Sequence, residues 1–172
     1  MLKRILVSIL LLMMLPLAAF AETEDADPGA LPEFTLHDQY GKEWTLADFE
    51  GKVIFLNFWT TWCPWCIREM PDIEALYHEL GENGGDVLIL GIDTPVTVDT
   101  ADEAGIIAFL EENGFTYPTL MDGEELLGTY FDYQVFPTTF IIKADGSVYG
   151  KIEGAVGIDI MRQFIEEALA AE

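Results

Sequence analysis

Seven nearly uninterrupted apolar residues, Val53 to Trp59 (VIFLNFW), lead through Thr60, Thr61 and Trp62 into Cys63-Pro64-Trp65-Cys66. No other stretch constrains the fold as much. An apolar run of that length without alternation suits a strand covered on both faces, in the middle of a sheet. Beyond the cysteines, Ile67, Met70, Ile73, Leu76, Tyr77 and Leu80 recur at helical spacing. They predict a helix over Pro64–Leu80, bent at Pro71, where an N–H is missing. Asn83-Gly84-Gly85 ends it, and Val87 to Ile92 (VLILGI) is a second buried strand. Strand, helix and strand in that order form a parallel unit.

The other elements fit around this unit. Glu33 to Leu46 reads as a hairpin turning at Gln39-Tyr40-Gly41-Lys42. Ile106 to Leu110, with Glu111 and Glu112, forms a helix closed by Asn113-Gly114. Glu124 to Phe131 is a short helix. Val135 to Ile142 is a strand interrupted by Pro137, and Asp145-Gly146 turns it into a returning strand (SVYGKIEG). Ile158 to Ala170 is a terminal amphipathic helix with Ile158, Met161, Ile165 and Leu169 on one face. The expected order is hairpin, β, α, β, α, α, β, β, α: an α/β domain with a mixed sheet flanked by helices. No repeat or second domain interrupts it.

The first residues point outside the cytoplasm. Lys3 and Arg4 precede an apolar stretch from Ile5, and Ala19-Phe20-Ala21 is a small-x-small cleavage signal. The expectation is a signal peptide over residues 1–21, an acidic linker over 22–32 and a folded domain over 33–172. The alternative is an uncleaved membrane anchor, since Ile5 to Ala21 sits at the lower limit for crossing a bilayer. The formal net charge is -23, from 31 acidic and 8 basic residues. Nucleic acid and anionic membrane surfaces would be repelled, which argues against both as partners. With 51% hydrophobic residues the chain still has ample material for a core.

Export changes how the two cysteines read. A disulfide across two intervening residues closes a very small loop and removes little unfolded-state entropy. The spacing suits redox exchange better than stapling. At a helix start, unpaired N–H groups and a partial positive charge favour thiolate over thiol. Cys63, the more exposed, attacks a substrate disulfide, and Cys66 resolves the mixed disulfide. Pro64 suits the first helical turn, and Trp65 and Trp62 belong to the docking surface. The competing reading is a metal site. Zinc needs more ligands than two cysteines and the distant His37 and His78 offer, so no metal is expected.

FLNFWTTWCPWCIREMP, PEFTLHDQYGKEWTLADFEGK and VFPTTFIIKADGSV together resemble the thioredoxin-fold disulfide oxidoreductases of the TlpA/ResA type. The resemblance spans about Leu31 to Ala170. It implies a thioredoxin fold with an N-terminal β-hairpin, and Thr94 to Gly123 is similar to the family's central insertion. It implies a cis peptide before Pro137, facing the cysteines, with Phe136 offering its backbone to an added substrate strand. It implies that Glu69, three residues after Cys66 on the same helix face, lies near the thiols and shuttles the proton of Cys66. No cofactor is implied beyond a redox-active Cys63–Cys66 disulfide. Asn57 departs from ordinary thioredoxin, which carries a buried aspartate there. Asn57 cannot titrate and serves to hold backbone, which throws the proton work onto Glu69.

The direction of electron flow follows from local charge. Only Arg68 is positive beside the cysteines, against Glu69 and Asp72. A poorly stabilised thiolate makes the disulfide form comparatively stable and the couple reducing. The expectation is an extracytoplasmic reductase of exported proteins. The resemblance adds apocytochrome c as a substrate class and a membrane thiol-relay protein as electron donor. Three alternatives stand beside it: a disulfide donor, a peroxide reductase using Thr60 and Cys63 in a T-x-x-C spacing, and a non-catalytic module that holds copper or a partner.

Overall fold

A computed structural model describes residues 31–93 and 101–171. The signal segment, most of the acidic linker and the part of the expected insertion over 94–100 lie outside the described residues. In chain order the elements are β1 (Thr35–His37), β2 (Glu43–Thr45), a 3-10 turn (Leu46–Asp48), β3 (Val53–Trp59), α1 (Pro64–Glu79), β4 (Val87–Asp93) and α2 (Glu103–Asn113). Then follow β5 (Thr119–Met121), α3 (Leu126–Tyr130), β6 (Thr138–Ile142), β7 (Val148–Glu153) and α4 (Ile158–Ala170).

The apolar run Val53–Trp59, β3, sits at the centre. The large sheet has the order β5-β4-β3-β6-β7. β3 pairs parallel with β4 and antiparallel with β6, so the sheet is mixed. Every residue of β3 is buried, and alternate residues face opposite layers. Val53, Phe55 and Trp59 pack with Met70, Ile73 and Leu76 of α1 and Met161 and Ile165 of α4. Ile54, Leu56 and Phe58 pack on the other side with Phe34, Trp44 and Leu127. Each such side chain contributes roughly 1.5–3 kcal/mol on burial, which is why the sheet is covered on both faces, by helices on one and by the hairpin and α3 on the other. Asn57 falls at an alternate position among Phe55 and Trp59 and so points into the α1 layer.

The hairpin β1–β2 is too short to stand alone. Leu36 and Trp44 are buried, and Asp38 ties the turn. Its Oδ1 accepts from Tyr40 N at 2.9 Å and Lys42 N at 3.0 Å, and its Oδ2 accepts from Trp44 Nε1 at 2.9 Å. Leu31, assigned from sequence to the linker, is buried in the same layer.

Three sequence expectations need correction. β5 was not expected; three residues after Pro118 carry no pattern, and the strand exists because Gly91, Ile92 and Asp93 of β4 offer it an edge. The strand expected from Val135 begins only at Thr138, after a cis Phe136–Pro137 peptide. Pro137 has no N–H to give a ladder. α2 starts at Glu103, a turn earlier than its apolar pattern, because Asp102 caps it by accepting from Gly105 N at 2.9 Å. α1 runs from Pro64 to Glu79 with Pro71 inside it.

Gly91 of β4 leaves no room for a side chain. A β-carbon built on it would lie 2.7 Å from Thr119 Oγ1 and 3.1 Å from Trp59 Nε1.

Candidate redox site

Thr60, Thr61 and Trp62 turn the chain from β3 into α1. Cys63 N donates to Thr60 O at 3.2 Å, and Trp62 N donates to Thr60 Oγ1 at 3.3 Å. Cys63 is the N-cap of α1, in extended backbone, and Pro64 occupies the first turn, where no N–H is needed. Cys66 N donates to Cys63 Sγ at 3.1 Å. The sulfur thus receives one of the helix's unpaired donors and the positive end of its dipole. Cys63 and Cys66 are joined as a disulfide, Cα to Cα 5.3 Å. Cys63 is 4% exposed and Cys66 fully buried, so any attack reaches Cys63 first.

The flanking residues divide into exposed and supporting ones. Trp62 and Trp65 are 47% and 57% exposed, and Pro64 is exposed beside them. Trp65 carries Arg68 over its ring, 5.4 Å from the centroid. Phe136 is half-buried and Pro137 buried. Phe136 touches Tyr133, ring centroids 5.3 Å apart, and Tyr133 stacks in turn on Phe58 of β3 at 4.7 Å. Pro137 O accepts from Gly154 N at 2.9 Å, and Thr138 Oγ1 donates to Val135 O at 2.8 Å. The cis-proline loop is therefore fastened at both ends.

Glu69 lies one turn beyond Cys66 and is buried, 3% exposed. It is not a solvated helix carboxylate. Its Oε1 accepts from Asn57 Nδ2 at 2.9 Å, and its Oε2 accepts from Val156 N at 3.2 Å. Burial pushes its carboxyl up to about 7; the two hydrogen bonds oppose that rise and Asp72 adds to it. A carboxyl in that range takes up and gives back a proton near neutrality. It lines a cavity of about 320 Å³ with Trp65, Arg68, Asp72 and Val156.

Asn57 corrects the sequence reading. It does not hold backbone; its amide bonds two side chains, Glu69 and Thr139. No spacing rule joins Asn57 to residues twelve and eighty-two positions on, so sequence alone could not find them. Asp93 was also missed. It ends β4 in register with Trp59, is buried, and burial pushes its carboxyl up to about 7. An acid closing an apolar run looks like any strand terminus. Both histidines are engaged elsewhere, His37 with Glu103 and His78 with Glu74 and Glu82. Among the described residues no group of His, Cys, Asp or Glu is arranged to hold a metal ion, and no helix is long and apolar enough to cross a membrane.

The family model described as the AhpC/TSA family matches residues 29–151. Thiol-disulfide oxidoreductase ResA of Geobacillus thermodenitrificans is 33% identical over 135 residues, covering 78% of this chain and 74% of that one. The protein of the same name from Bacillus thuringiensis is 36% identical over 138 residues, covering 78% and 75%. Among solved structures, a thiol:disulfide interchange protein of the thioredoxin family from Chlorobium tepidum superposes with a TM-score of 0.70 at 28% identity. That match covers 84% of this chain and 99% of the other.

Proposed function

The chain belongs to the AhpC/TSA family and to the ResA-type thiol-disulfide oxidoreductases, and from that premise we propose that it is an exported reductase of protein disulfides working through Cys63 and Cys66. The observation that carries this reading is Cys63 Sγ at the N-cap of α1, accepting the Cys66 N–H.

In the reduced protein the Cys63 thiolate attacks one sulfur of a substrate disulfide. A Cys63–substrate bond forms and the second substrate sulfur leaves as a thiolate, which takes a proton. Glu69 takes the proton of Cys66, and the Cys66 thiolate attacks Cys63 Sγ. The mixed disulfide breaks, the substrate leaves with both sulfurs reduced, and the protein is left with the Cys63–Cys66 disulfide. Two electrons have passed to the substrate. A membrane dithiol of the relay type restores them. Trp62, Pro64 and Trp65 on one side and Phe136 and Pro137 on the other receive the polypeptide around its disulfide, and exported proteins with paired cysteines, apocytochrome c among them, are the substrate class. No cofactor enters beyond the disulfide itself.

The direction is tested by equilibrating the Cys63–Cys66 couple with glutathione or dithiothreitol at pH 7. A potential at about -270 mV or below supports a reductase; one near about -120 mV makes it a disulfide donor. Consumption of hydrogen peroxide by the reduced protein, at a rate above its disulfide exchange, would favour the peroxide reading instead.

A further inference from the structure

Glu69 is held by two neutral donors from separate parts of the fold, and the one on β3 is unusual. Asn57 is wholly buried. Its Nδ2 donates both to Glu69 Oε1 and to Thr139 Oγ1, each at 2.9 Å, and β3–β6 pairing sets Asn57 directly beside Thr139. Its Oδ1 has no hydrogen-bond partner. A buried amide oxygen without a partner is a cost that an apolar side chain would not carry.

We propose that Asn57 is a positioning residue for Glu69, donating through Nδ2 to the ionised carboxylate and turning its amide over to accept through Oδ1 from the protonated acid. This rests on the reading of Glu69 as the proton carrier. An amide has nearly the same shape either way round, and offers donors on one side and an acceptor on the other. Thr139 Oγ1 follows it, since a hydroxyl both accepts and donates. The idle Oδ1 is then the acceptor reserved for the other protonation state. An aspartate could not do this. Ionised, it offers no donor and places a second negative charge against Glu69. The remaining charged and titratable groups act on Glu69 from elsewhere: Asp72 on α1, the buried Tyr117 ahead of β5, and Arg68 across the cavity. The loop ahead of α4 faces it with the Val156 N–H alone.

The test uses the full chain in its oxidised form, where the cysteines do not titrate. Glutamate carboxyls are labelled with carbon-13 and the Asn57 side-chain amide with nitrogen-15, and both are followed by NMR from pH 5 to pH 9. The Glu69 signal is assigned by its loss in Glu69→Gln. In the wild type the Asn57 amide signals should shift with the Glu69 midpoint, and they should stay still in Glu69→Gln. Asn57→Ala should raise that midpoint by about one pH unit, because the bond lost from the carboxylate is charge-assisted and the one lost from the protonated acid is the weaker neutral kind. Asn57→Asp, which keeps the side chain's shape should the alanine variant not fold, should raise it further. An Asn57 amide indifferent to Glu69, or a midpoint unchanged in a folded Asn57 variant, overturns the proposal. If these shifts occur while Glu69→Gln leaves the pH profile of disulfide reduction unchanged, the positioning stands and the proton-carrier reading fails.

Discussion

Trp62 and Phe136 meet edge to face, ring centroids 6.0 Å apart and planes at 86°. One precedes the first cysteine and the other precedes the cis-proline, so two loops from opposite halves of the chain close on each other beside the disulfide. An edge-to-face pair contributes about 0.5–1.5 kcal/mol beyond the area it buries. Trp62 keeps nearly half its surface open, leaving it free to meet a substrate. Trp62→Ala should lower kcat/KM for a protein disulfide about fivefold, the equivalent of about 1 kcal/mol. The rate with glutathione disulfide should stay near wild type. Parallel kinetics on the two substrates check this, and an equal loss on both would remove Trp62 from the docking surface.

The burial of Cys66 beneath Cys63 orders the two steps of exchange. Cys66→Ser should accumulate a mixed disulfide through Cys63, visible on a non-reducing gel and by mass spectrometry. Cys63→Ser should accumulate almost none, because the remaining thiol is fully covered. Equal trapping by both variants would contradict that order.

Two buried carboxyls make stability depend on pH in an unusual direction. Glu69 and Asp93 are both pushed up to about 7, first by burial. Between their unfolded values and about pH 7, the unfolded chain ionises them while the folded chain keeps them protonated. Their contribution is therefore fully present below about pH 4 and falls away as pH rises towards 7. Each carboxyl accounts for up to about 4 kcal/mol of that fall. Urea unfolding of the oxidised protein should show Asp93→Asn more stable than wild type at pH 8, with the gap closing by pH 4. A gap constant across that range would mean that Asp93 ionises normally in the folded chain.

Asp38 secures the hairpin with three hydrogen bonds from a buried position. Asp38→Ala strands the Trp44 indole N–H as well, and should cost about 2–4 kcal/mol. The reduction potential should not change, since the hairpin lies against the layer opposite α1. Chemical denaturation and redox equilibration on the same sample separate the two effects.

The parts of this fold that were legible in sequence are those set by local pattern. β3 and β4 announce themselves as apolar runs, α1 by its spacing, and the cysteine pair by its place between them. The parts that were not legible depend on neighbours distant in the chain. β5 is a strand only because β4 has a free edge, and the start of β6 is set by a proline without an N–H. Asn57 looked like a backbone-holding residue because its true partners, Glu69 and Thr139, reach it only after the sheet and α1 have assembled. Asp93 shows the same limit: nothing in its neighbours along the chain distinguishes a buried acid from a solvated one.

Gly91 has no charge, no side chain and no share in the redox chemistry. Any larger residue there drives a β-carbon into the Thr119 hydroxyl and against the Trp59 indole, and so wedges β5 from β4. In a saturation library selected for activity, this position should be among the least tolerant in the protein, and a conservation-style reading would mistake it for part of the catalytic apparatus. Its intolerance would instead report steric exclusion, with every replacement ranked by volume and none rescued by polarity.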